Sequence, residues 1–238
     1  MLFARGDRPD RAALADFVAL DIALHSCEPT ATTDTPVSGT LKLVRDGLPI
    51  ILGGLDDGAP GSFPSIEHRF DLETVPSADR YERLQLTVEP GLPTGDNRIE
   101  ILRALIGLAR DLAAHFENCA AIAWPPARSA ISRKYFESTA SAWIEGGPFP
   151  ALGLTAFEQA SDGAIHSIGL DFWIGRELLI DAALVKERTA AIRFGARLVS
   201  QLVVLGGITE SERVVAPDGS HLVLHLSSDG KTIHVAPE

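Results

Sequence analysis

The side chains best suited to chemistry stand near the C-terminus. Glu212, His221, His225 and His234 are interleaved there with Leu222, Leu224, Leu226, Ile233 and Val235. Two Asp-Gly dipeptides, Asp218-Gly219 and Asp229-Gly230, punctuate the stretch, and Asp-Gly marks a tight hairpin because both positions tolerate positive φ. If each dipeptide is the whole of a two-residue loop, Ser228 pairs with Lys231 and Pro217 with Ser220. Counting back along the strands then sets His225 opposite His234 and Glu212 opposite His225. Side chains alternate faces along a strand, so Glu212, His225 and His234 line up on one face of three strands, with His221 beside them. Two imidazoles and a carboxylate are the donor set of a catalytic zinc or iron site. The same alternation favours a plainer reading, in which the leucines, Ile233 and Val235 face a core and the histidines are the solvated side of an antiparallel sheet.

A second candidate is the segment GLDFWIGRE, which sets Phe172 and Trp173 beside Arg176 and Glu177. Exposed aromatic rings with arginine are the usual composition of a protein-interaction hot spot. Trp173, Arg176, Glu177 and Trp124 form the interaction candidate, joined by Trp143, on the condition that the rings reach the surface. The alternative puts Phe172 and Ile174 in the core, Trp173 on the other side and Arg176 in a local pair.

Other chemistries find less support. No G-x-S-x-G elbow occurs. Ser129, Ser132 and Ser138 are nucleophile candidates by type alone, and helix capping accounts for the first two. Cys119 comes four residues after His115 but leads into an apolar run, where burial raises a thiol pKa and dulls it. Gly53, Gly54, Gly58 and Gly61 make a glycine-rich loop without a phosphate-binding pattern, and Asp56 and Asp57 would repel a phosphate.

The elements that must position these groups are mixed. Strands are expected over 17–25, 41–44, 48–52, 66–72, 81–89, 120–124, 151–157, 165–174 and 178–180. Helices are expected over 98–117, introduced by Asn97 and Glu100 as a capping box, over 132–144 and over 184–205. The chain ends in a β-meander over 213–216, 221–226 and 232–235. This pattern predicts an α+β fold: a largely antiparallel sheet with two long helices and one shorter helix packed on one face. It is read as a single domain over 1–238, with 1–80 as a more divergent N-terminal layer.

Three stretches resemble the bacterial family known as domain of unknown function 4261. They are the run RYERLQLTVEP to ALIGLARDLAAHFENCAAIAWPPARSAIS, the segment GLTAFEQASDGAIHSIGLDFWIGRELLID, and the long helix with its Gly-Gly stop before the meander. The resemblance spans residues 81–238. It implies an α+β fold in a bacterial cytosol and assigns no catalytic residue.

Composition narrows the partners. A formal net charge of −11 repels phosphate backbones and anionic membrane surfaces, and no basic stripe offsets it, so neither nucleic acid nor membrane is expected. The two cysteines, Cys27 and Cys119, lack metal-ligand spacing and read as reduced thiols, which together with the absence of an apolar leader predicts a cytoplasmic protein. No cofactor is implied. Three roles are compatible with these residues: a non-catalytic binding protein with a protein partner, a basic one suiting the charge; a metal-dependent enzyme using Glu212, His225 and His234; and a small-ligand sensor with a pocket between sheet and helix.

Overall fold

The computed structural model describes residues 1–20, 39–55, 63–89, 98–216 and 218–238. Cys27, the Asp56, Asp57, Gly58 and Gly61 part of the glycine-rich loop, and the Asn97 cap lie outside the described residues. In chain order the elements begin with β1 (Leu2–Ala4), α1 (Arg11–Leu20), β2 (Thr40–Arg45), β3 (Leu48–Gly53), β4 (His68–Phe70), β5 (Tyr81–Arg83) and β6 (Gln85–Val88). The middle contains α2 (Arg98–His115), β7 (Cys119–Trp124), β8 (Ser129–Ser132), α3 (Arg133–Ile144), α4 (Ala151–Leu154), β9 (Ala156–Gln159) and β10 (Ile165–Ile168). The remainder is α5 (Asp171–Ile174), β11 (Glu177–Ile180), α6 (Arg188–Leu205), β12 (Glu212–Val215), β13 (His221–Leu226) and β14 (Thr232–Pro237). The class is α+β, rich in antiparallel pairing, with the expected C-terminal meander.

The chain divides into two compact units. One comprises Met1–Pro64, Asp71–Ala123 and Ile131–Glu145; the other comprises Ser65–Phe70, Trp124–Ala130 and Gly146–Glu238. In the first, β1 lies antiparallel between β5 and β7, and β2, β3 and β6 form an antiparallel sheet. α2 packs on β3, β6 and α3, burying Leu105, Leu108 and Leu112 at helical spacing. The expected strand over 81–89 breaks at Leu84. Its N–H donates to the Met1 carbonyl, and the Met1 amine donates to the Leu84 carbonyl, so the run serves two sheets in turn. Ser132 caps α3, accepting the Tyr135 N–H at 3.2 Å.

In the second unit, six strands run in the order β12-β13-β14-β11-β10-β9. β11 and β14 are parallel, and the other neighbours are antiparallel. α6 packs on β10 and β11 and buries Ala191, Leu198, Val199, Leu202 and Val203. Gly195 permits the close approach: a Cβ there would stand 2.8 Å from the Phe157 ring and 3.1 Å from Ile180.

Four expectations are corrected. Residues 17–20 are the last turns of α1, not a strand, because the Ala-rich run from Arg11 has Asp10 as its cap and sets Leu14 and Phe17 on one buried face; the rest of that expected strand lies outside the described residues. The strand expected over 151–157 starts only at Ala156, after a helical turn in which Gly153 takes φ +105°. The strand expected over 165–174 stops at Ile168. Gly169 takes φ +86° and α5 comes next. The long helix starts at Arg188, not at 184, because Glu187 captures the Thr189 and Ala190 N–H groups.

Candidate functional site

The meander brings the two central histidines together. His225 pairs with His234, and their rings stack with centroids 5.2 Å apart and planes 23° apart. The row continues on the same face: Leu179 pairs with His234, His166 with Leu179, and Glu158 with His166. Burial lowers the His234 pKa, and the neighbouring His225 and His166 lower it further. Sequence reasoning missed His166 because the β11–β14 pairing joins strands far apart in the chain, which no local turn signal announces.

Glu212 does not join them. It pairs with Leu224, not with His225. Ala216, rather than Pro217, meets Ser220 across the turn, its N–H donating to the Ser220 carbonyl at 2.9 Å. A slip of one residue turns every side chain of a strand to the opposite face. Glu212 and Val214 therefore share the face of Leu222 and Leu224, while Arg213 and Val215 share that of the histidines.

The aromatic candidates converge, but inside the second unit. Trp124 is 9% and Trp173 4% exposed. Their indoles stack at 5.6 Å, Phe172 meets Trp124 edge-on at 5.3 Å, and Phe149 meets Trp173 at 4.7 Å. Trp143, in the first unit, is likewise buried and lies beneath the Arg103 guanidinium. The surface that the hot-spot reading requires is absent from these indoles. Arg176 braces two turns, donating from Nε to the Gly230 carbonyl and from Nη1 to the Ile208 carbonyl, each at 2.9 Å.

Glu177, three residues past the end of α5, caps its start. Its carboxylate accepts the N–H groups of Gly169 at 2.7 Å and of Leu170 and Asp171 at 3.3 Å, together with the Ser167 hydroxyl. Burial pushes its pKa up to about 7, against the Ser167 hydrogen bond and with help from the Asp171 side chain. Gly169 is required beside it, since a Cβ would stand 2.8 Å from the Ala127 backbone. The indoles of Trp124 and Trp173, Arg176 and Glu177 thus hold the fold together locally.

Of the serine candidates, Ser132 caps α3 and Ser138 is exposed on that helix. Ser129 is buried and donates to the Gly153 carbonyl, so it is not a helix cap. Cys119 is buried, which pushes its thiol pKa up, as expected for a core cysteine.

A cavity of about 470 Å³ lies between the N-terminal half of α6 and the β12–β13 hairpin. Leu184, Ala191, Phe194 and Leu222 give it apolar walls, and Lys186, Arg193 and Arg197 surround them with positive charge. Arg193 and Arg197 are one helical turn apart, which aligns them on one side of α6. The two carboxylates at the rim are already engaged. Glu187 caps α6, and Asp218 accepts the Ser220 N–H and hydroxyl; these hydrogen bonds hold both carboxyls below the usual range. Among the described residues Lys186, Arg193 and Arg197 make no ion pair within 4.0 Å, although Arg193 acts on the Glu187 carboxylate and Lys186 on that of Asp218 at longer range. Sequence reasoning named none of these cations, although Arg193 and Arg197 at helical spacing beside Phe194 were a readable signal.

One group of His and carboxylate side chains is gathered closely enough to hold a cation among the described residues: Glu67, His68 and Glu158. It includes none of the meander residues. No helix among the described residues is long and apolar enough to cross a membrane. Comparison with protein-family models, with curated proteins and with solved structures finds no match to this chain.

Proposed function

We propose that this chain is a non-catalytic binding protein of the bacterial cytosol, and that its ligand is a small organic anion with an apolar body. The observation that supports this reading most is the cavity flanked by α6 and the β12–β13 hairpin. Its volume of about 470 Å³ falls in the range of small-molecule sites, roughly 300–1,000 Å³. Three cations, none in an ion pair within 4.0 Å among the described residues, outnumber the two carboxylates of its lining, in a chain whose net charge is −11. A carboxylate or similar head would accept charge-assisted hydrogen bonds from Arg193 and Arg197, while its carbon body would cover Phe194 and Leu222. A protein partner held by exposed tryptophans has weaker footing, because the indoles are buried. The cytosolic setting rests on composition and on the family resemblance.

Octanoate is a suitable probe, titrated by isothermal calorimetry beside octanol, which has the same chain and no charge. Saturable binding of one octanoate per chain is expected, with octanol at least about tenfold weaker, the ratio that one or two charge-assisted hydrogen bonds supply. The double variant Arg193→Gln, Arg197→Gln should erase that preference without changing the thermal midpoint of the free protein. Equal affinity for the two probes, or no saturation by either, would refute the reading.

A further inference from the structure

We propose that Glu67, His68 and Glu158 form a divalent-cation site of the zinc or manganese class, which Arg128 occupies as a resident counter-charge until a metal displaces it. Each residue offers one ligand atom, and these atoms all lie within 4.8 Å of one another. The His68 Nε2 to Glu158 Oε1 separation is 3.3 Å. Two ligands bound tetrahedrally at zinc distances stand about 3.4 Å apart, so this edge of the triangle already has the spacing that a shared metal sets.

His68 supplies the second observation. Its Nε2 is buried and makes no hydrogen bond, although a carboxylate oxygen stands 3.3 Å away. A buried polar atom left in this state calls for a partner, and an imidazole nitrogen facing two carboxylates is suited to a borderline metal ion rather than to a soft one.

The frame around the ligands is built in advance. The Arg128 carbonyl accepts the N–H of Glu67 at 2.7 Å and that of His68 at 3.0 Å, fixing the two adjacent ligands relative to each other. Arg128 itself is held at φ +48°, a left-handed conformation that a residue with a Cβ rarely adopts. Glu158 comes from β9, the edge strand of the six-stranded sheet. The Arg128 side chain pairs with Glu67 at 2.7 Å and approaches Glu158 at 3.9 Å. It is 39% exposed, so it can turn into solvent when an ion takes its place. Three protein ligands leave at least one coordination position for water or for a ligand atom.

The test uses the full chain, purified without a tag and treated with a chelator, and titrates Zn²⁺ and Mn²⁺ against a chromophoric indicator. One equivalent of either ion is expected to bind. Glu158→Gln changes an exposed side chain that caps nothing, and it should weaken binding at least about tenfold. His68→Gln should abolish binding, with circular dichroism checking its fold. Arg128→Gln should strengthen binding, because the competing cation is gone, and His225→Gln should leave it unchanged. The proposal is overturned if neither ion binds, if Glu158→Gln binds as tightly as the parent, if Arg128→Gln weakens binding, or if His225→Gln alone removes it.

Discussion

The two Asp-Gly turns of the C-terminal meander share their local chemistry and differ in how many residues each loop holds. In the first, the Gly219 N–H donates to the Ala216 carbonyl; in the second, the Gly230 N–H donates to the Ser227 carbonyl, each at 2.9 Å. The aspartate of each turn accepts the N–H two residues on, from Ser220 at 3.1 Å and from Lys231 at 3.0 Å. Both glycines take positive φ. Yet the ladder closes between Ala216 and Ser220 in one hairpin and between Ser227 and Thr232 in the other, leaving three residues in the first loop and four in the second. An odd loop and an even loop set opposite parity. Asp-Gly therefore locates a turn without stating which face the next strand presents, and a metal site drawn across both hairpins needed that parity twice.

The largest expected effect tests parity directly on β13. Leu224 faces inward, 2% exposed, while His225 faces the opposite side. Leu224→Ala should destabilise the chain by about 2–5 kcal/mol, the usual cost of emptying a packed leucine site. His225→Ala, which removes a half-buried ring on the other face, should cost no more than about 1 kcal/mol. Urea melts of the two variants measure the difference, and comparable losses would show that the strand faces are assigned the wrong way round.

Legibility in the sequence divides along the same line, between local and tertiary causes. Elements marked by local chemistry stood out: the strands expected over 41–44 and 48–52, which pair in the structure, the helix expected over 98–117 by its leucine spacing, and the His225–His234 pair. Elements set by tertiary partners did not. α5 forms because Glu177, three residues past its end, captures the N–H groups at its start, so 169–174 reads as the end of a strand until that capture is seen. Trp124 and Trp173 looked equally suited to a surface or a core, and what decided between them was each other's ring. The cavity arises from helix against hairpin, and Glu67 and His68 meet Glu158 from a distant part of the chain, so neither site leaves a compact motif.

A middle-sized effect tests whether the two turns are as alike as their hydrogen bonds. Gly219 takes φ +84° and Gly230 φ +68°, and a Cβ at either would meet nothing within 4 Å. With no steric clash, Gly219→Ala and Gly230→Ala should each cost only the backbone term, about 1–2 kcal/mol. The two losses should agree within the error of thermal melts. A much larger loss at one turn would mean that its loop supports more of the sheet than its own ladder.

The smallest effect concerns the histidine pair that the second turn holds together. The His234 pKa is lowered by burial first, then by His225 and His166. A histidine whose pKa lies below its unfolded value of 6.5 binds a proton more readily when the chain is unfolded. Stability from this pair is therefore complete above pH 6.5 and is lost as the pH falls through the lowered folded value. His225→Gln removes the nearest charge while keeping a polar side chain, so the His234 titration followed by NMR should move upward, towards 6.5. Burial is named first among the causes and is untouched by the substitution, so the recovery should be partial. A full return would make the stacked ring the main cause, and no movement would mean that the two imidazoles do not sense each other's charge.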